Sequence, residues 1–226
     1  MRIETSNNPI EALQQQLLTV INEHRGHTLI YLAGGSALRI FDNLQINPDT
    51  LVRTIWCMGD DRQERGESNN YEQLQQRWSQ SAEATIIDTS VHDDEDHVPY
   101  VERINFQLAE ILHSKSDVQT IAILGTGADG HTASIFPMDE ESFRETYEVD
   151  STYVPVHVAT LTEPQRASLT PHAILNDVDQ VYGYIAGEAK KSILNKLMNQ
   201  DLEIYEMPAQ LLKLHKNTTV FTDIET

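Results

Sequence analysis

The sequence predicts an α/β fold: a single domain on a doubly wound, mostly parallel sheet flanked by helices. Three observations carry that prediction. Short apolar runs alternate with stretches of helical periodicity nearly throughout, the pattern of parallel strands joined by helical crossovers. Most of those runs close in glycine-rich or polar turns. The 226 residues are 39% apolar, enough for an ordinary packed core, and no repeat, low-complexity tract or linker divides them.

The first helix opens at Asn8-Pro9-Ile10-Glu11, with a capping residue, a proline at the first helical position and an acid at the third. Ile10, Leu13, Leu17, Leu18 and Ile21 then recur at helical spacing. TLIYLAGGS reads as a strand closed by Gly34-Gly35-Ser36, and ALRIFDNL as a helix with Ala37, Ile40, Phe41 and Leu44 on one face. LVRTIWCM is a second buried strand, GDDRQERGESNN is polar, and ATII at 84–87 makes a short strand. The acidic run HDDEDH reads as a solvated loop, because adjacent like charges repel and stay wet; a metal held by His92 and His97 is the lesser alternative. Val101, Ile104, Leu108, Ile111 and Leu112 mark a helix, VQTIAIL a strand, and the loop that closes it is expected to lead into another helix. After a mixed stretch come a strand, QVYGYIAG, and a helix, GEAKKSILNKLMNQ. PAQLLKLH and TTVFT finish the chain as a short helix and a strand.

Composition excludes several classes. A formal charge of −19 argues against nucleic acid, whose backbone needs a basic face. No apolar run is long enough to cross a membrane, and MRIETSNNPIEALQQQ has no apolar signal core, so a cytoplasmic protein is expected. The lone cysteine, Cys57, suits that compartment and reads as a buried structural thiol. An anionic ligand must therefore be held by a local basic cluster, against long-range repulsion.

In open α/β sheets, ligands bind beyond the carboxyl ends of the strands. AGGS, MGDDR, GTGADGH and AGEAK all follow predicted strands, so they are expected on one rim. AGGS offers backbone N–H groups to an anion, although alone it also reads as a tight turn capped by Ser36. GTGADG has the spacing of a dinucleotide loop, but Asp129 would repel a pyrophosphate and the motif lies past the middle of the chain. His131, just after Asp-Gly and at an expected helix start, fits a general base, with a helix cap as the plainer alternative. Asp60, Asp61 and Arg62 offer acids to orient a base and a cation for an oxyanion, or else a surface ion pair. Arg166 and Lys190 are candidate phosphate ligands in a chain poor in basic residues.

Taken together, these segments resemble the 6-phosphogluconolactonase family. GTGADGHTASIFP is similar to its strand-closing signature, and LAGGSALRIFDNL to its phosphate-loop segment. GDDR, ESNNY, EPQRASLT, AGEAKKSIL and PAQLL resemble its later segments in family order, over about residues 30 to 222. The resemblance implies hydrolysis of 6-phospho-D-glucono-1,5-lactone in the oxidative pentose phosphate pathway, on a sheet related to the sugar-phosphate isomerases and deaminases. It implies no metal and no cofactor, a small sugar-phosphate lactone as partner, and a monomer or small homo-oligomer. Carried over by position, His131 activates water, Asp129 holds the loop and orients it, and Arg62 stabilises charge near the lactone. Gly34, Gly35, Ser36, Arg166 and Lys190 would bind the phosphate, with Asp60 and Gly130 also facing substrate. Three departures stand out: Ala37-Leu38 replaces a Thr-Pro pair, D-D-R replaces D-E-R, and Met138 replaces a glycine after Phe136-Pro137. A deaminase/isomerase on the same scaffold would want a glutamate where Ile135-Phe136 stand. A non-catalytic sugar-phosphate sensor and a dinucleotide-binding oxidoreductase are the remaining alternatives.

Overall fold

The computed structural model describes residues 1–93 and 95–225; Asp94, in the acidic run, and Thr226 lie outside the described residues. Among the described residues there are ten strands: β1 (Arg2–Thr5), β2 (His27–Leu32), β3 (Thr54–Met58), β4 (Asp60–Arg62), β5 (Thr85–Ile86), β6 (Val118–Gly125), β7 (Tyr153–His157), β8 (Gln165–Leu169), β9 (Gln180–Tyr184) and β10 (Thr218–Thr222). The α-helices are α1 (Pro9–Glu23), α2 (Pro48–Leu51), α3 (Asn70–Arg77), α4 (His97–His113), α5 (Glu140–Tyr147), α6 (Lys191–Asn199) and α7 (Leu211–Leu214). Seven strands form one parallel sheet in the order β1-β10-β9-β6-β2-β3-β5, as the alternation predicts.

Period-two side-chain alternation explains why both faces are covered. On β2, Leu29 and Tyr31 enter one core while Ile30 and Leu32 enter the other. On β3, Ile55 and Cys57 part from Trp56 and Met58 in the same way, and on β6 Ala122 and Leu124 part from Ile121 and Ile123. The first core is closed by α4, α6 and α7, the second by α1, α3 and the Phe41–Trp56–Trp78 aromatic cluster. Cys57 is buried as expected, and that burial pushes its thiol up to about 12.

The chain runs outward from β2 to β3 and β5, then returns to the other flank of β2 with β6 and continues to β9 and β10. The strand order therefore reverses between β2 and β6. Crossovers leave that point in opposite directions, which opens a crevice at the carboxyl ends of the two strands.

A second sheet, β4-β8-β7, is antiparallel and was not foreseen. Its β4 is three polar residues following β3 directly, too short and charged to show a strand period. Gly59 splices the two: its N–H donates to the Leu32 carbonyl (2.7 Å) and its carbonyl accepts from the Leu169 N–H (2.8 Å).

Three helix expectations need correction. After β2 the chain forms a 3₁₀ helix, Gly35–Phe41, not an α-helix. Ala37 with Ile40, and Leu38 with Phe41, are buried three apart, which three residues per turn aligns. No helix begins at His131: Thr132 and Ile135 bridge across a tight turn with Ala133 at φ 49°, and α5 starts only after the Asp139 cap. His131 therefore neither starts nor caps a helix. At α1, Asn8 makes no backbone cap; its side chain donates to the Glu11 carboxylate at 2.8 Å.

Candidate active site

The crevice at the switch point is a cleft of about 190 Å³. The loop after β2 supplies Gly34, Gly35 and Ser36; β4 supplies Asp60 and Arg62; β6 and its loop supply Thr126 and His131. Arg166 enters from β8, and Lys190 from the turn before α6. Segments distant in sequence thus meet on one rim.

His131 is held by its own loop. The Gly127 N–H donates to the His131 carbonyl (2.9 Å) and the Gly130 N–H to the Gly127 carbonyl (3.2 Å), closing a tight turn. The imidazole folds back over Gly127, where a Cβ would overlap the ring and the Asp129 carboxylate. Asp129 Oδ1 lies 2.6 Å from His131 Nδ1 and also accepts the His131 backbone N–H at 3.2 Å. Burial pushes the Asp129 carboxyl up, but the His131 charge and hydrogen bonds outweigh it and the net position is lowered. A carboxylate only accepts, so Nδ1 carries the imidazole proton and Nε2 is left free to take one.

Strand alternation separates the two acids of β4. Asp60 faces the cleft, and one of its oxygens accepts from Ser134 Oγ at 2.8 Å. Asp61 turns inward and is 1% exposed. Its carboxylate accepts from Thr89 Oγ1 and from the N–H groups of Arg62, Asn70 and Tyr71. Burial pushes it up to about 7 against those four donors. Asp61 ties the start of α3 to β4 and does not orient His131.

Three cations line the cleft of a chain whose net charge is −19. Arg62 and Arg166 are direct cross-strand partners, a like-charge pairing that destabilises a sheet unless something anionic lies over it. Burial lowers the Arg166 pKa and Arg62 lowers it further, while Asp60 and Glu163 oppose them; an arginine stays charged regardless. Arg62 Nη1 donates to the Ser68 carbonyl (2.6 Å), Arg166 Nε to the Glu163 carbonyl (3.0 Å) and Lys190 Nζ to the Thr126 carbonyl (2.5 Å).

Of the residues picked from sequence, Gly130 does not line the cleft. Its φ is 92°, Met207 packs where its side chain would be, and its carbonyl accepts the Ala209 N–H at 2.9 Å. Asp129 reaches the cleft only through His131. The pair weighed as a lesser metal-binding alternative is dispersed: His92 Nε2 meets the Asp88 carboxylate, and His97 Nε2 the Arg166 carbonyl, each at 2.9 Å.

Sequence reasoning missed Asn70 and Thr126. The Asn70 amide donates to the Asp60 carbonyl at 2.9 Å and packs against Gly34, where a Cβ would overlap it. The true cap of α3 is Asn69, which accepts from the Glu72 N–H (2.9 Å) and leaves Asn70 for the cleft. Buried Asn70 Oδ1, Thr126 Oγ1 and Arg62 Nε have no protein partner, three unspent groups around one cavity. Ala37 also lines the cleft, so the hydroxyl missing at that position is missing from the cleft wall.

A family model described as glucosamine-6-phosphate isomerases/6-phosphogluconolactonase matches residues 4–221. The 6-phosphogluconolactonase of Borreliella burgdorferi is 28% identical over 169 residues, covering 70% of this chain and 66% of that protein. The human 6-phosphogluconolactonase is 34% identical over 95 residues, 42% of this chain and 34% of that one. The alignments thus span less than two thirds of either relative. The fold is similar over nearly its whole length to the 6-phosphogluconolactonase structure from Thermotoga maritima (TM-score 0.78, 21% identity, 98% of each chain). It is also similar to that from Trypanosoma brucei (TM-score 0.73, 20% identity, 98% of this chain and 95% of that one). No helix among the described residues is long and apolar enough to cross a membrane.

Proposed function

The chain belongs to the glucosamine-6-phosphate isomerase/6-phosphogluconolactonase family, and on that premise we propose that it hydrolyses 6-phospho-D-glucono-1,5-lactone to 6-phosphogluconate. One observation carries the reading: a histidine whose Nδ1 is engaged by a carboxylate at 2.6 Å, on the wall of a cleft lined by three cations.

The geometry supports the following steps. His131 Nε2 removes a proton from water as the oxygen attacks the lactone carbonyl, and Asp129 stabilises the imidazolium that forms. Arg62, on β4, lines the same cleft as His131 and meets the charge developing on the carbonyl oxygen. The tetrahedral intermediate collapses with cleavage of the ring ester bond, and His131 returns its proton to the departing ring oxygen. The Gly34-Gly35-Ser36 backbone, Arg166 and Lys190 hold the phosphate, and binding there orients the carbonyl. Asp60, with one oxygen bound to Ser134, accepts from a sugar hydroxyl with the other.

The decisive test is a lactonase assay with freshly generated substrate, from which spontaneous hydrolysis is subtracted. A rate well above background is expected, together with no release of ammonia from glucosamine 6-phosphate. No rate above background refutes the proposal. Arg166→Ala and Lys190→Ala are each expected to raise KM by about tenfold or more, since a charge-assisted contact contributes roughly 1.5–3 kcal/mol, while kcat changes less. A variant with unchanged KM removes that residue from the phosphate site.

A further inference from the structure

The ring of Phe136 packs against two of the groups assigned above. The Thr132–Ile135 bridge brings residues 131 and 136 side by side at its open end. Their ring centroids are 4.8 Å apart with planes tilted 43°. Arg166, arriving from β8, places its guanidinium carbon over the same ring at 5.7 Å from the centroid. Phe136 is 8% exposed, and its N–H donates to the Tyr147 hydroxyl at 3.3 Å. That hydroxyl in turn donates to the Ser134 carbonyl at 2.8 Å, so the ring's support is fixed on the buried side.

We propose that Phe136 is a positioning residue, an aromatic platform that sets the imidazole of His131 and the guanidinium of Arg166 relative to one another. The inference rests on reading His131 as the base and Arg166 as a phosphate ligand, and it adds the element that couples them. A π face attracts cations. Arg166 carries its charge throughout, so the ring holds it in the ground state. His131 becomes cationic only as it takes the proton from water, so its attraction to the ring grows along the reaction coordinate and favours the transition state over the bound substrate. The ring acts through both groups, and its loss is expected to register in both kinetic constants.

The test replaces the ring without emptying the space. Phe136→Leu and Phe136→Met keep an apolar side chain of similar bulk, and Phe136→Tyr keeps the π face. In both aliphatic variants kcat is expected to fall about tenfold and KM to rise severalfold, because sub-ångström misplacement of a reacting group is costly. Phe136→Tyr is expected to recover to within about threefold of wild type on the same grounds. Urea unfolding followed on each variant corrects the rates for the folded fraction. Aliphatic variants with wild-type kcat and KM per folded molecule overturn the proposal, as does failure of the tyrosine variant to recover activity while folded.

A second measurement does not need turnover. The imidazole proton resonances of His131, identified by their loss in His131→Asn, are expected to carry a ring-current shift that Phe136→Leu abolishes and Phe136→Tyr preserves. Resonances unmoved by Phe136→Leu overturn the proposal. An inactive wild-type protein that still shows the shift refutes the lactonase reading and supports the placement of the ring.

Discussion

His131→Ala is expected to lower kcat by at least ~10²-fold, within the usual range for losing a positioned general base, with KM little changed. The loop explains why the loss falls on kcat. Among the described residues the His131 side chain bonds only to Asp129, at 2.6 Å, and the cations that line the cleft come from other segments. Removing the imidazole therefore deletes proton transfer and leaves the substrate's charged contacts in place. Activity at high pH gives an internal control: hydroxide replaces the missing base, and the deficit is expected to narrow as pH rises. Near-normal turnover in a folded variant would sink the assignment.

Gly127→Ala is the second large effect, and it tests the loop's construction. Gly127 has no left-handed φ that would demand glycine; the constraint is space. A methyl group there overlaps the His131 ring and the Asp129 carboxylate, so one side of that pair must move. A misplaced base is worth little, and a fall in kcat of about 10²-fold is expected from a displacement near 1 Å. The urea midpoint should change far less than the rate, because the clash is relieved on the cleft side. The double variant Gly127→Ala/His131→Ala is expected to be no slower than His131→Ala alone, since groups acting as one unit are not additive. Additive losses would mean that Gly127 serves something other than the histidine.

That result bears on how much of the site was legible. The GTGADG spacing, taken by its glycines, pointed to a dinucleotide loop; the letters Asp129 and His131 argued against it. Both the turn and the histidine it presents were readable, because the chemistry is local: five residues closed by two backbone bonds. The reason for the second glycine was not readable. Only the folded loop shows that the imidazole lies where a Cβ would stand.

The same division runs through the fold. Strands β2, β3, β6, β9 and β10 were readable from apolar runs, because strands buried on both faces show little polar alternation. Strands β4, β7 and β8 were not: β4 is Asp-Asp-Arg, and β7 and β8 lay within what read as a mixed stretch. Their order comes from pairing with one another, a long-range choice that no window of sequence contains. Arg62 and Arg166 were each picked as isolated cations, and their direct opposition appears only in the β4–β8 register. The expected helix at His131 failed for the converse reason. The residues there favour a helix weakly, and the Thr132–Ile135 bridge, anchored through Ser134 to Asp60 and Ser168, overrides that preference.

The sequence by itself determined the parallel sheet, the rim on which its loops meet, and the histidine, arginines and lysine that line it, since apolar period and residue chemistry are local properties. Tertiary structure decided which of those groups face the cleft. It turned Asp60 toward the cleft and Asp61 away, took Gly130 out of it, brought Asn70 and Thr126 in, and laid Phe136 against both His131 and Arg166. Those outcomes depend on strand register and on what packs behind each loop, and both are set by residues far away in the chain.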